Sequence, residues 1–517
     1  MFHYHYQKNS SPHINSLNKR NDIKVYNLTI TKKNMAPDGF TREMFVINDK
    51  FPGPLIEVNK GDTLVLNVKN DFDDVTTIHA HGFYQRGTPW YDGVPGQTQC
   101  GIQSKTSFTY EFKVDQSGTY WYHSHSKAQY IEGIVGALIA HDPDDPYLKD
   151  YDEEIVVLIQ DWYHTDSETL LTTFLNPTSA GNEPTPDNGL INGMNSYNCS
   201  GAPDGSECVS DAPLANFKFV QGKNAFSEFI FSIDEHPMDV IEVEGMIAQR
   251  HTIHRLPINI AQRYSVIVTA DKPIGKYWMR SEMETDCFAK QSDTLNPLVK
   301  AIVEYEGSDG NDNPSSTAWT DSQGTCIDLD TSNLKPYKVQ TIPDADYKLT
   351  LNVSFQPDDK NVTRGYINNS TYVLDSKSPT LLKVYEDITT FNPNQNAYII
   401  DKDKVVDIIL FNNDTGDHPF HLVCTRSCIL VLGIGINGTS PDYDSVNTKD
   451  PIQRDTVTVP AGGWFIIRFV SDNPGVWGFH CHIEWHVQSG LVSQFVTQPD
   501  KIKELKSPDN WYNLCKY

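Results

Sequence analysis

The sequence predicts an all-β protein of several sandwich or barrel domains, and three observations predict it. Runs rich in Val, Ile, Thr, Tyr and Phe alternate with polar residues at the two-residue period of a strand with unlike faces. These runs are short and end at Gly, Pro, Asn or Asp. Long helical periodicity is absent, and 517 residues exceed what a single hydrophobic core serves.

In chain order, strands are predicted at 62–70 (DTLVLNVKN), 108–114 (FTYEFKV), 153–160 (EEIVVLIQ), 262–270 (QRYSVIVTA), 403–413 (DKVVDIILFNN) and 463–471 (GWFIIRFVS). Their spacing places one domain at 22–148, a second at 149–307 and a third at 345–517. The stretch 308–344, rich in Asp, Ser, Asn and Gly, reads as a linker.

Composition narrows the function class. Hydrophobic residues at 38% and charged residues at 21% describe a folded globular chain. Forty-two Lys and Arg stand against 67 Asp and Glu, a net charge of −25, which disfavours nucleic acid and anionic lipid as partners. Such a surface attracts small cations, although acidity also keeps a secreted protein soluble. No run of 18 apolar residues exists, so no membrane span is predicted. Sequons at Asn27, Asn198, Asn352, Asn361, Asn369 and Asn437 point to an extracellular, secreted location. The first 22 residues lack a signal-peptide core, so the leader is expected to have been removed or left out. Nine cysteines, an odd number, leave one thiol for another role.

That role is found in one of four histidine motifs, which are His79-Ala-His81, His123-Ser-His125, His418-Pro-Phe-His421 and His480-Cys481-His482-Ile-Glu-Trp-His486. Residues two apart on a strand face the same way, so His79 and His81 can share a metal cluster, as can His123 and His125. His480 and His482 face one side while Cys481 faces the other, so one strand is expected to touch two metal sites. Cys481 with His418 and His486 forms the one-thiolate, two-imidazole set of blue copper. A single His-x-His pair is usually accidental, and zinc is the rival metal. Zinc, however, needs only four ligands, whereas ten candidates here demand several metals. All eight Met lie at or before position 283, so Leu491 is the candidate for the axial place, where a non-coordinating side chain should raise the potential.

Over residues 22–517 the chain resembles the fungal multicopper oxidases of the laccase and ferroxidase type. The resemblance rests on GFYQRGTPWYDGVPGQTQC (82–100), GTYWYHSHS (118–126) and NPGVWGFHCHIEWH (473–486). It implies three cupredoxin-like, Greek-key domains, and about four coppers per chain. It implies His418, Cys481 and His486 as type 1 ligands, His79 and His421 as the type 2 pair, and His81, His123, His125, His480 and His482 as type 3 ligands. Asp92 and Glu484 match acids that supply protons for oxygen reduction, with turn capping and plain exposure as their ordinary alternatives. The resemblance also suggests the disulfide Cys100–Cys515. Proximity suggests Cys199–Cys208, which leaves Cys287–Cys326.

Two places depart from the family pattern. The third motif continues as Leu422-Val423-Cys424, with Val423 where the resemblance implies a type 3 His, so one copper is expected to have two imidazoles instead of three. Near 221–226 a strand of the family pattern is missing, which would leave a sheet edge in the second domain unpaired. The pair of lesions suggests a splicing or gene-model fault, testable by sequencing the transcript.

Three functions remain in view. The first is a laccase-like oxidase of phenols and aromatic amines, with dioxygen as the electron acceptor. The second is a ferroxidase using Fe(II), in which Glu183 and Asp414 match acidic positions and an iron permease would be the partner. The third is a copper-binding protein whose cluster is disabled at Val423.

Overall fold

A computed structural model describes residues 2–5, 21–219, 229–288, 290, 292, 294–308, 313–322, 326–339, 343–423 and 429–516. It is built of paired sheets, as the alternation predicts. Thr63–Asn70 and Leu298–Tyr305 each turn every second side chain into a core, burying Leu64, Leu66 and Val68 in one and Val299, Ala301, Val303 and Tyr305 in the other.

In the N-terminal region Arg42–Ile47, Ile23–Met35, Thr63–Asn70 and Ser107–Lys113 form one sheet. Gly53–Asn59, Val135–His141, Gly118–His123 and His79–His81 form the facing one. The register of the last two strands pairs His79 with His123, which puts two histidine motifs side by side. The C-terminal region repeats the device. His418–Leu422 runs antiparallel to Gly475–Cys481, with His421 opposite His480 and Phe420 opposite Cys481.

Between them lie two five-stranded sheets that carry none of the four motifs. One contains Asn216–Phe219, Leu298–Tyr305, Lys276–Glu282, Phe229–Ile233 and Arg255–Ile258. In the other, Phe2–His5 lies parallel to Tyr264–Ile267. The suspected gap at 221–226 lies outside the described residues. Among the described residues no helix is long and apolar enough to cross a membrane.

Two predicted features differ in detail. The 153–160 run splits into Val156–Val157 and Ile159–Trp162, which join different sheets. The cause is Asn192: its side-chain oxygen accepts the Leu158 N–H at 2.7 Å, and its own N–H donates to the Leu158 carbonyl at 2.7 Å. Leu158 therefore spends its backbone groups outside a ladder. Described parts of the 308–344 stretch pack against the rest of the protein. Trp319 donates its indole N–H to the Ile233 carbonyl at 2.8 Å, and Leu329 and Leu334 are buried. Among the described residues three disulfides form, Cys100–Cys515, Cys199–Cys208 and Cys287–Cys326, the pairing expected from sequence. Among the described residues Cys481 is the free cysteine, and it is buried.

Candidate metal centre

The strand Gly475–Cys481 separates two clusters of side chains. On one side, Cys481 Sγ lies 3.3 Å from His486 Nδ1 and 3.8 Å from His418 Nδ1, and the two ring nitrogens are 3.1 Å apart. These three atoms can hold one metal ion. The far edge of each ring meets an acid: His486 Nε2 is 2.5 Å from Glu183 Oε1, and His418 Nε2 is 3.2 Å from Asp414 Oδ2. Burial alone would depress the His486 basicity, but the Cys481 thiolate and the Glu183 carboxylate reverse this and push its pKa up to about 10. Burial likewise opposes ionising Cys481, yet His486 and His418 bring its thiol down to about 7. A thiolate with two carboxylates around two imidazoles is an environment short of positive charge, which a cation in place of the protons supplies. Leu491 is fully buried; its carbonyl accepts the Cys481 N–H at 3.3 Å and its N–H donates to the His486 carbonyl at 2.9 Å. Phe355 covers both rings, at 4.8 Å from His486 and 5.5 Å from His418.

On the other side seven imidazoles converge. His79, His81 and His421 bring their ring nitrogens within metal-binding range of one another, and so do His81, His123 and His482. The rings are oriented through backbone carbonyls that accept their Nδ1–H groups. His79 donates to Asp92 at 2.5 Å, His123 to Ser124 at 2.8 Å, His421 to Asp455 at 3.0 Å and His480 to Cys481 at 2.8 Å. That tautomer leaves Nε2 as the lone-pair donor. Nε2 of His81, His123, His421 and His482 is buried without any hydrogen-bond partner, an arrangement costly for a polar atom unless a metal takes it. Burial and neighbouring rings push His81, His123, His125 and His482 well below the ordinary imidazole range, and His480 to about 3, so these rings stay neutral and ready to ligate. His125 and His480 form only a pair, with Nε2 atoms 3.4 Å apart. Val423 is buried and donates its N–H to the Gly478 carbonyl at 3.3 Å. Residues 424–428, including Cys424 and Cys428, lie outside the described residues.

Both predicted proton-handling acids are buried. Asp92 follows the turn Pro89–Tyr91 and sets Oδ1 3.3 Å from His79 Nδ1. Gly93 makes this approach possible: its φ is +89°, and a Cβ there would lie 2.1 Å from the Ile78 carbonyl oxygen. Glu484 is covered, not exposed as its ordinary alternative had it. Burial pushes its carboxyl up to about 8, opposed only by the Gln488 amide that donates at 2.6 Å.

The sequence reading missed the supports. Asp455 Oδ1 stands 3.5 Å from both His81 Nε2 and His421 Nδ1, and Arg263 grips Asp455 with two hydrogen bonds of 2.7 and 2.6 Å. Arg454 reaches Glu244 at 2.6 Å, and Glu244 also accepts the N–H groups of Asp455 and Thr456. All four charged side chains are buried. An Arg-Asp pair opening the apolar run TVTV was the available signal, since charges there must be paired.

Comparison with known proteins identifies the architecture. Multicopper oxidase family profiles match residues 29–145, 153–308 and 353–501. Laccase-1 of Cryptococcus neoformans var. grubii is 34% identical over 95% of this chain and 82% of its own. The chain belongs to the multicopper oxidase family. An iron transport multicopper oxidase of Schizosaccharomyces pombe is 33% identical over 93% of this chain and 77% of its own. The fold matches the crystal structure of the laccase from Botrytis aclada, with TM-score 0.86 and 31% identity over 98% of this chain and 93% of that one. It matches Fet3p, a multicopper oxidase that functions in iron import, with TM-score 0.85 and 29% identity over 96% and 95%. This multicopper oxidase is thus an enzyme with type 1, type 2 and type 3 copper, and its His and Cys clusters are the groups that could hold them. Its reactants are dioxygen and a reducing substrate. The disulfides among its described residues fit an extracellular protein.

Proposed function

We propose a laccase-like oxidase that draws single electrons from phenols and aromatic amines at His486. A cavity of about 750 Å³ opens onto this ring, large enough for an aromatic substrate. Phe355, Ile327, Phe288 and Trp485 supply apolar wall, and Glu183, Asp414 and Asp161 supply negative charge suited to a protonated amine or a hydroxyl donor. The observation that carries the reading is this partly aromatic cavity ending on the hydrogen-bonded pair His486 and Glu183.

In this reading Cys481, His418 and His486 would hold type 1 copper, with the side chain of Leu491 as the non-coordinating neighbour of the site. His79 and His421 hold type 2, and His81, His123, His125, His480 and His482 serve the type 3 pair. When bound, these metals carry single electrons from substrate to dioxygen, which leaves as water. The chain does the rest. Glu183 accepts the proton that an oxidised phenol releases, because removing an electron makes the hydroxyl strongly acidic. Phe355 keeps water off the rings of His418 and His486. The Cys481 backbone joins directly to His480 and His482, a path of a few bonds between the two clusters. Asp92 at His79 and the protonated Glu484 carboxyl are the acids placed to deliver protons.

Steady-state rates with a phenol, an aromatic amine and Fe(II) test the reading. Glu183→Gln should lower kcat/KM for the phenol by about 10–100-fold, the usual range for losing a proton acceptor, and leave the blue absorbance in place. Fe(II) as the best substrate would overturn it.

A second reading, ferroxidase, is favoured by one observation: each type 1 imidazole has its own carboxylate, Glu183 on His486 and Asp414 on His418. Oxygen ligands suit Fe(II). In that case Glu183→Ala with Asp414→Ala would abolish Fe(II) turnover while sparing the phenol, and an iron permease would be the partner. A secreted location belongs to the first reading.

A further inference from the structure

Among the described residues the cavity that ends on His486 is lined by seven carboxyl groups and one lysine, the exposed Lys290. Two of the acids are engaged by rings of the metal site, Glu183 by His486 and Asp414 by His418. Asp161 is placed differently. It lies on the strand Ile159–Trp162, where alternation buries Trp162 on one face and sets Ile159 and Asp161 on the other, along the cavity wall. Elsewhere in this fold buried carboxylates are matched by guanidinium groups: Asp455 by Arg263, Glu244 by Arg454 and Asp407 by Arg468. The groups that hydrogen-bond Asp161 are the Tyr163 hydroxyl and its own backbone N–H, neither of them cationic, and burial raises its carboxyl. A carboxylate so placed is stabilised by a cation that enters the cavity.

Tyr163 ties Asp161 to the reactive end. Its hydroxyl donates to Asp161, lies 3.5 Å from the Pro184 carbonyl and accepts the Trp485 indole N–H at 3.4 Å. Pro184 follows Glu183 and Trp485 precedes His486. One buried hydroxyl therefore touches Asp161 and the chain neighbours of both residues at the oxidising end.

We propose that Asp161 is a specificity-determining residue that binds the ammonium group of an aminoalkyl phenol whose hydroxyl sits at Glu183 and His486. The proposal rests on the laccase-like reading and narrows its substrate class to phenols that carry a protonated amine. In the oxidation one electron leaves the ring toward His486, the hydroxyl proton passes to Glu183, and the ammonium keeps its own proton. A phenol with an anionic arm meets the same carboxyl groups and is repelled.

The test compares three para-substituted phenols on the copper-loaded full chain. Tyramine, 4-ethylphenol and 3-(4-hydroxyphenyl)propanoate carry an ammonium, no charge and a carboxylate on the same ring. The parent should show the lowest KM for tyramine and the highest for the propanoate, and added salt should narrow the gap by screening the attraction. Asp161→Asn keeps an acceptor for the Tyr163 hydroxyl and removes the charge. It should cut the preference for tyramine over 4-ethylphenol about 10-fold, the lower end expected for a hydrogen bond to a charged group, through KM and not kcat. Asp161→Glu should retain most of the preference. Equal KM values for tyramine and 4-ethylphenol in the parent overturn the proposal, and that result stands even if neither variant folds. A preference that survives Asp161→Asn undiminished overturns it too. Calorimetric titration of tyramine into the same proteins separates the proposal from the reading beneath it. Binding that Asp161→Asn weakens, with no phenol oxidised, keeps the subsite and sinks the laccase-like assignment.

Discussion

Leu491 packs in the core beside Cys481, and its backbone ties it to both Cys481 and His486. If it occupies the axial place, the type 1 ion lacks a fourth donor that would favour its cupric form. Leu491→Met adds a thioether and should lower the potential, read by redox titration of the blue band. An unchanged potential would remove Leu491 from that role. Asp145 offers a prediction about stability. Burial, the largest influence, raises its carboxyl to about 6, and Glu242, Glu154 and Asp142 add to the effect against the Tyr147 N–H that it accepts. The folded state therefore holds a proton that the unfolded chain releases near the ordinary value of 3.8. That contribution is complete below 3.8 and is lost as pH rises through about 6. Asp145→Asn keeps an acceptor for the Tyr147 N–H. It should flatten the fall in stability across this window and add about 1–2 kcal/mol at pH 7, measured by urea denaturation.

At the scale of elements, short strands do most of the positioning. The His-x-His spacing was legible because alternation is a property of any strand, and the register then sets His79 beside His123 and His421 beside His480. The separation of Cys481 from its two neighbours was legible for the same reason. What alternation could not reveal is how a ring is rotated, because that depends on carbonyls supplied from turns. The Pro89–Tyr91 turn is one case: it delivers the Asp92 carbonyl to His79 only because Gly93 adopts a positive φ against Ile78. Gly93→Ala should displace that carbonyl. Strain of about 1–3 kcal/mol is expected, together with weaker type 2 copper. The urea midpoint and the type 2 paramagnetic signal would show both; an unaltered signal would mean that the turn does not orient His79.

Across the whole molecule, the middle region carries none of the four motifs yet braces the site. Arg263 and Glu244 reach from it to Asp455 and Arg454, next to His421 and His81. Asp328, in the packed connector, accepts from Thr458 and Gln262. Only the Arg454-Asp455 half of this was legible in the sequence, since nothing local in Glu244 or Arg263 reports a partner some two hundred residues away. Removing one member leaves its counterpart buried and unpaired. Glu244→Ala should therefore cost about 3–5 kcal/mol and loosen copper from the His79, His81 and His421 group before global unfolding. Parallel urea curves for the copper-loaded parent and variant, followed by fluorescence and by metal release, would show whether the two events separate.

The ligands of the larger centre are split between positions 79–125 and 421–482, and a disulfide joins Cys100 to Cys515. A ribosome synthesising this protein must therefore pass residue 482 before the clustered coppers can have their full set of ligands. Metallation is a late step of biogenesis, and a nascent chain arrested before residue 482 would display histidine pairs open to any scavenging metal.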